Sequence, residues 1–236
     1  MKSSDNTIRY NTIRDSLGGI VLRHGNRSTV DGNYLLGGTD GLRLYGNDHL
    51  VVNNYFGGLT GRALTIGSGT VRDHHAGETT EQRRGNDACD RAVIVHNTLV
   101  GNARTLSGET RDHEPRDVVV ADNLLVGDAG SLVAMGKITG FTWQSNILWG
   151  AAPNGNLPAG GYVRTDPRLQ QKSDGVFRLA AGSPAIGAAT FTGASVAEDI
   201  DGHARGSARD IGADEYGTLA PVRRPLTAAD VGPHAS

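Results

Sequence analysis

The chain has 236 residues, a formal net charge of −2, 34 glycines, 8 prolines, 37% apolar residues and only 5% aromatic residues. Glycine is about twice its usual share of ~7% while proline is sparse, which argues against an aromatic-rich sandwich core and against a disordered Pro/Gly tract. The near-neutral charge gives no basis for a nucleic-acid partner, no run of 18 apolar residues offers a membrane span, and the lone Cys89 excludes an intrachain disulfide or a thiolate metal site.

The chain opens Met1-Lys2-Ser3-Ser4-Asp5, shows no secretory signal and enters repeat sequence at once. Residues 1–66 carry Lys2, Arg9, Arg14, Arg23, Arg27, Arg43 and Arg62 against five Asp, so a mildly acidic protein has a basic leading part. Such a face can meet an anionic ligand, although a solvated surface is the commoner meaning. Short apolar beats, such as Thr7-Ile8-Arg9-Tyr10, Ile20-Val21-Leu22, Ala92-Val93-Ile94-Val95 and Val118-Val119-Val120, alternate with glycine or Asn/Asp turns. An asparagine follows many of them: Asn11, Asn33, Asn54, Asn97, Asn123 and Asn146, at spacings of 22, 21, 43, 26 and 23. The 43 reads as two periods, holding the beat Ala63-Leu64-Thr65-Ile66 and a long insertion. No window sustains a 3.6-residue period, and the dense leucine skeleton of a leucine-rich repeat is missing. These features predict an all-β chain folded as a parallel β-helix, of about seven rungs over residues 5–150, with the asparagines stacked as a structural ladder.

Residues 67–91 break the repeat. His74 and His75 lie near Cys89 and Asp90, but their spacing matches no metal motif, so the insertion reads as a solvated loop and no metal ligand is assigned. After Trp149 the repeat weakens through Pro153, Pro158, Pro167 and Pro184. The expected organisation is a β-helix over 1–190, a segment over 191–216 that closes the last rung, and a loose tail over 217–236.

Lys2 and Arg23 are 21 residues apart, about one rung, which would stack them near the strand spacing of ~4.8 Å. Two cations so close call for an anion between them. His24 adjoins Arg23, and Arg43 follows it by 20 residues. The Gly25-Asn26 and Gly46-Asn47 pairs instead give a register of 21 and align Arg23 with Leu44, and a shift of one residue reverses the facing of Arg43. Tyr34, Tyr45 and Tyr55 recur at spacings near 10 that fit no single face, so they read as ordinary packing.

The stretches Lys2-Ser3-Ser4-Asp5-Asn6-Thr7, Leu22-Arg23-His24-Gly25-Asn26-Arg27-Ser28-Thr29-Val30 and Asn53-Asn54-Tyr55-Phe56 resemble the chondroitinase B-like and alginate lyase family of polysaccharide lyases. The resemblance implies a right-handed parallel β-helix that cleaves a uronate-containing, alginate-like polysaccharide by β-elimination. It implies Lys2 as the base on the C5 proton, Arg23 as the acid toward the leaving oxygen, and His24, Arg43 and Tyr45 as subsite residues. It also implies a secreted or periplasmic location and a calcium ion on the substrate carboxylate. The family's calcium ligands lie upstream of the lysine, so they appear to be missing here, and the chain is expected to be the C-terminal portion of a longer lyase with weak activity by itself. The alternatives are a non-catalytic β-helix that binds an acidic polysaccharide and a β-helical glycoside hydrolase, which would need a pair of carboxyl groups across the bond. The sequence leaves the polymer and the oligomeric state open.

Overall fold

A computed structural model describes residues 3–232. Three-residue strands separated by tight corners wind into a solenoid, because each short apolar beat can bury one side only by stacking on the beat before it. The first turn is β1 (Thr7–Arg9), β2 (Thr12–Arg14) and β3 (Ile20–Leu22); the second is β4 (Thr29–Asp31), β5 (Tyr34–Leu36) and β6 (Leu42–Leu44). The third is β7 (Leu50–Val52), β8 (Tyr55–Gly57) and β9 (Arg62–Ile66), and the fourth is β10 (Val93–Val95), β11 (Thr98–Val100) and β12 (Arg104–Gly108). The fifth is β13 (Val119–Ala121), β14 (Leu124–Val126) and β15 (Val133–Ala134), and the sixth is β16 (Thr142–Gln144) and β17 (Asn146–Trp149), extended by β18 (Tyr162–Arg164). Strands in the same position of each turn pair in parallel, giving a first sheet β1-β4-β7-β10-β13-β16, a second β2-β5-β8-β11-β14-β17-β18 and a third β3-β6-β9-β12-β15.

There are about six turns, not seven, because the spacing of 43 is a single turn. The Asn54 side-chain amide donates to Asn97 Oδ1 at 3.0 Å, so these asparagines are direct neighbours. The beat at Ala63–Ile66 is the third strand of their turn, and the extra length is the insertion that follows it.

Every ladder asparagine sits at the corner between the first and second sheets. Asn33 Nδ2 reaches Asn54 Oδ1 at 2.9 Å, Asn97 reaches Asn123 at 3.0 Å, and Asn123 reaches Asn146 at 3.0 Å. The same acceptor oxygens take the backbone N–H of the preceding asparagine, as Asn123 Oδ1 does from Asn97 at 2.9 Å. The residue before each ladder asparagine has positive φ, and at Tyr10, Asn53, His96, Asp122 and Ser145 it is not glycine. The buried ladder thus holds a backbone turn that most side chains disfavour.

Inside, the core runs as columns: Val30, Val51, Ile94 and Val120 from the first sheet, Leu35, Phe56, Leu99 and Leu125 from the second, Leu42, Leu64 and Leu106 from the third. All of them are essentially buried. Beyond β18 the antiparallel hairpin β19 (Leu169–Gln171) and β20 (Phe177–Leu179) turns the chain back along the outside.

The segment 191–216 lies along the flank, not over the last turn. Tyr34 Oη donates to Asp201 at 2.9 Å, Asn53 Nδ2 to the Glu198 carbonyl at 2.8 Å, and the Ala213 N–H to Thr98 Oγ1 at 3.0 Å. Val176, Ile200 and Ala213 pack on Tyr34, Tyr55 and Val100, while Val196 packs on Val52, Val95 and Ala121. Residues 217–232 are also held, since the Leu226 N–H donates to Thr12 Oγ1 at 2.9 Å and the Val222 N–H to the Asp201 carbonyl at 2.9 Å. This strap covers apolar outer residues of the first and second sheets and, among the described residues, makes no such cluster on the third.

The ladder sets a graded expectation for stability. Replacing Asn97 by Ala strands the donors and acceptors of two neighbouring turns, and the loss should be roughly 3 kcal/mol, since each buried polar group left unsatisfied costs about 1–3 kcal/mol. Asn11→Ala, at the exposed end, should cost about 1 kcal/mol or less; urea unfolding of the two variants measures the difference.

Under the strap, burial pushes the Asp214 carboxyl up to about 7, and the Leu179 N–H donates to it at 2.7 Å. The folded chain therefore keeps a proton that the unfolded chain releases near its ordinary value of 3.8, and this group's contribution to stability falls as pH rises from about 4 to about 7 and is flat above. Asp214→Asn keeps an acceptor for Leu179 and should remove that slope, as thermal melts across this pH range will show.

Candidate functional site

The third sheet presents its outer face without the strap. Alternation along each strand sends Leu42 and Leu44 into the core and Arg43 outward. Pairing puts Arg43 between Val21 of β3 and Thr65 of β9, and Thr65 beside Ser107 of β12. The strand register here is 22, while Asn26 and Asn47, joined by a 2.9 Å hydrogen bond, follow a register of 21. Both spacings are real: the Tyr45 N–H bonds the Leu22 carbonyl at 2.8 Å, and Arg23 and His24 together face the single residue Tyr45. Arg23 therefore aligns with neither Arg43 nor Leu44.

Lys2 lies outside the described residues. Arg23 is exposed just after β3, and its Nε donates to Asn86 Oδ1 of the insertion at 3.3 Å. Arg43 is half-buried, and its Nε has no hydrogen-bond partner among the described residues. Tyr45 is 2% exposed, so it offers no ring face to a ligand. Its hydroxyl donates to both oxygens of Glu109 at 2.9 and 3.0 Å. Burial first, and the Glu109 carboxylate next, raise the Tyr45 hydroxyl above the ordinary tyrosine range, so it stays a donor. A Cβ at Gly67, on the next turn, would lie 2.3 Å from the Tyr45 ring, so only glycine lets that ring pack there. Glu109 also approaches Arg111 Nε at 3.3 Å and Arg62 Nη1 at 3.9 Å. Sequence reasoning missed Glu109, because nothing local links it to a tyrosine 64 residues earlier.

The insertion is not a solvated loop throughout. Arg72 pairs with Asp90 at 2.6 Å and approaches Glu114 at 3.8 Å, and Glu78, Asp87, Cys89 and Asp90 are buried. His74 Nδ1 is 2.5 Å from Glu78 and its Nε2 is 2.7 Å from Asp87. The His24 ring, half-buried, stands edge-on to His74 with centroids 5.5 Å apart. The fold thus brings three ligand-type side chains, His24, His74 and Asp87, within 4.8 Å of one another, where the sequence assigned no metal ligand. The i, i+4 pair His74 and Glu78 was the one local signal. Calcium does not fit this set, because it takes oxygen ligands and two of these are imidazoles.

Farther along, β12 and β15 border an open concavity of about 440 Å³ lined by Thr110, Met135 and Asn156 among others. A separate concavity of about 640 Å³, lined by Lys172, Arg178 and Asp214, belongs to the strap and lies away from these groups.

Tyr45→Phe removes one donor from a charged acceptor and should cost about 1.5–3 kcal/mol, read by chemical unfolding; a change below about 0.5 kcal/mol would show that Glu109 is held without it.

Residues 1–178 match the family model described as Chondroitinase B. The PL6 family alginate lyase AlyGC superposes with a TM-score of 0.71 at 23% identity, over 99% of this chain and 29% of that one. Alginate lyase AlyF-OU02, solved in complex with G6, gives 0.58 at 22% identity over 77% of this chain and 44% of that one. A mannuronic acid specific family 6 lyase from human gut microbiota gives 0.51 at 25% identity, over 63% and 35%. The chain spans less than half the length of each. No curated protein matches it.

Proposed function

The chain belongs to the chondroitinase B family, and from that premise we propose that it works as a polysaccharide lyase, cleaving a uronate-containing, alginate-like polymer by β-elimination on the outer face of the third sheet. The observation that carries this reading is Arg43, whose buried Nε has no hydrogen-bond partner among the described residues, on the sheet the strap leaves uncovered and with exposed Arg23 just after the first strand of that sheet. A guanidinium so placed invites a carboxylate or another anion. The similar structures include alginate lyases, one of them solved with a trisaccharide.

The chemistry asks for three things. A C5 proton next to a carboxylate is weakly acidic, and its removal puts charge on that carboxylate, so cations must meet it. A base must take the proton, a role proposed for Lys2, whose pKa a neighbouring cation would lower. An acid must protonate the departing oxygen, a role proposed for Arg23. Arg43 and His24 are proposed to line the subsites, with Tyr45 acting only through Glu109. Calcium is implied by the family resemblance, and no step depends on it. Substrates of this kind lie outside the cell, so a secreted or periplasmic location is part of the proposal.

Elimination leaves a conjugated double bond, so turnover is read by ultraviolet absorbance on alginate and on a dermatan-type polymer. Arg23→Ala should lower kcat/KM by at least about 100-fold with an unchanged melting temperature, and Arg43→Ala should mainly raise KM. Full turnover in Arg23→Ala removes it from the acid role. Binding without product would make the chain a polysaccharide-binding module, and new reducing ends without absorbance would make it a hydrolase.

A further inference from the structure

We infer that Arg83 and Arg84, on the insertion, form an outlying cationic subsite that holds carboxylates of a long polyuronate chain beyond the sugars at Arg23 and Arg43. The inference deepens the proposed function and rests on it for the choice of polymer.

The pair is set apart from its neighbours by what it does not touch. Residues 67–91 carry four arginines. Two are committed to the fold: Arg72 pairs with Asp90 at 2.6 Å and Arg91 with Asp48 at 2.7 Å. Arg83 and Arg84 are exposed, and among the described residues their guanidiniums make no ion pair and no hydrogen bond. Glu81 is the one acidic residue of 79–85, so this stretch keeps a net charge of +1. Adjacent like charges repel, and a polyanion relieves that repulsion.

The stretch that carries them is ordered. Gln82–Arg84 form a single 3₁₀ turn. The Thr79 N–H donates to Gln82 Oε1 at 2.8 Å and the Gln82 N–H to Thr79 Oγ1 at 3.2 Å, a reciprocal cap at the start of the turn. The Arg83 N–H bonds the Thr79 carbonyl at 3.1 Å, and the Gly85 N–H closes the far end on the Gln82 carbonyl at 3.0 Å. With the backbone satisfied, only the side chains lose freedom when an anion binds.

The turn is also tethered beside the cleft. Asn86, two residues past Arg84, accepts from Arg23 Nε at 3.3 Å. Two residues of chain span at most about 7 Å, so the Arg84 backbone stays that close to Asn86. Both ends of the insertion are pinned to the solenoid: Arg72 donates to the Glu114 carbonyl at 2.8 Å, and the Asp48 N–H to the Asp90 carbonyl at 2.9 Å.

The ligand follows from the spacing of charge. A polyuronate bears one carboxylate on every sugar, so a chain with one carboxylate at Arg43 presents others on either side. The Arg23–Asn86 contact marks where such a chain passes the insertion, and the arginine pair meets the carboxylates beyond it. Guanidiniums take carboxylates as a two-pronged fork. Each exposed pairing is worth up to about fivefold in affinity and is screened by salt. The pair therefore tunes the hold on a long chain and leaves the chemistry alone, and a trisaccharide that fills the sites at Arg23 and Arg43 is too short to gain from it.

The test compares the full chain with Arg83→Gln/Arg84→Gln on polymeric alginate and on a uronate trisaccharide. Polymer binding is read by affinity electrophoresis in alginate gels, and turnover by ultraviolet absorbance. A charge-matched variant, Arg168→Gln/Lys172→Gln, removes two exposed cations that flank β19. The expected result for the insertion variant is polymer affinity lower by roughly 3–10-fold at low salt. The loss should shrink as salt rises, with a shallower slope of log affinity against log salt. Its kcat/KM on the trisaccharide and its melting temperature should be unchanged, and the charge-matched variant should bind polymer as the unaltered chain does. Undiminished polymer affinity in the insertion variant, an equal loss in the charge-matched variant, an equal loss on both substrates, or no alginate binding by the unaltered chain overturns the subsite. Binding is measured without turnover. A chain that binds alginate and loses affinity in the insertion variant, yet yields no absorbance, keeps the subsite and loses the lyase reading.

Discussion

Everything in this molecule depends on one stacked asparagine corner. Asn33, Asn54, Asn97, Asn123 and Asn146 each accept from the backbone N–H and the side chain of the preceding ladder asparagine, a run that starts at Asn11. That chain of bonds fixes the register of the first two sheets at every turn, and the core columns follow from the register. It also holds the left-handed residue that makes the corner tight. Because the corner is invariant, variation in length is pushed to the far side, after the third sheet. There the 25-residue interval of the insertion interrupts neither the ladder nor the columns, since Asn54 still meets Asn97 directly.

The same division decides which faces are covered. The chain returns along the outside of the first two sheets and covers them with Val176, Val196, Ile200 and Ala213. Buried polar anchors lock it down: Arg178 pairs with Asp201, and Arg205 donates to Asn53 at 3.0 Å and to the Gly212 carbonyl at 2.7 Å. The third sheet keeps an outer row of Val21, Arg43, Thr65 and Ser107, of which Val21 and Arg43 reach solvent while Thr65 and Ser107 are buried, flanked by the insertion and by the Glu109 cluster. The strap and the basic row therefore fall on different sheets of one repeat.

The period, the strands and the structural role of the asparagines were legible, because a solenoid writes its register into every turn. The spacing of 43 reads as two periods because the insertion adds about one period of length to the turn that ends on Ala63–Ile66, and only the Asn54 to Asn97 bond separates the two possibilities. Arg23 and Arg43 were legible as a basic pair, but their alignment was not. The strand register of 22 and the corner register of 21 coexist, and the difference is absorbed at Arg23 and His24, which no repeat count reveals. Tyr34 was unreadable for another reason: its partner Asp201 lies 167 residues away, in a segment with no repeat of its own. His24, His74 and Asp87 likewise meet only because the fold closes a gap of 50 residues between the first two. For Lys2 the sequence remains the whole basis of its proposed role.

The central claim is that the outer face of the third sheet is where an anionic polysaccharide meets this chain. The most direct measurement is a crystal structure of the protein with an oligouronate bound. The account predicts sugar rings lying across the strands of that sheet, a carboxylate within hydrogen-bond distance of the Arg43 guanidinium, and Arg23 at a glycosidic oxygen. An oligosaccharide seated instead in the strap concavity lined by Lys172, Arg178 and Asp214, with the third sheet bare, would contradict it.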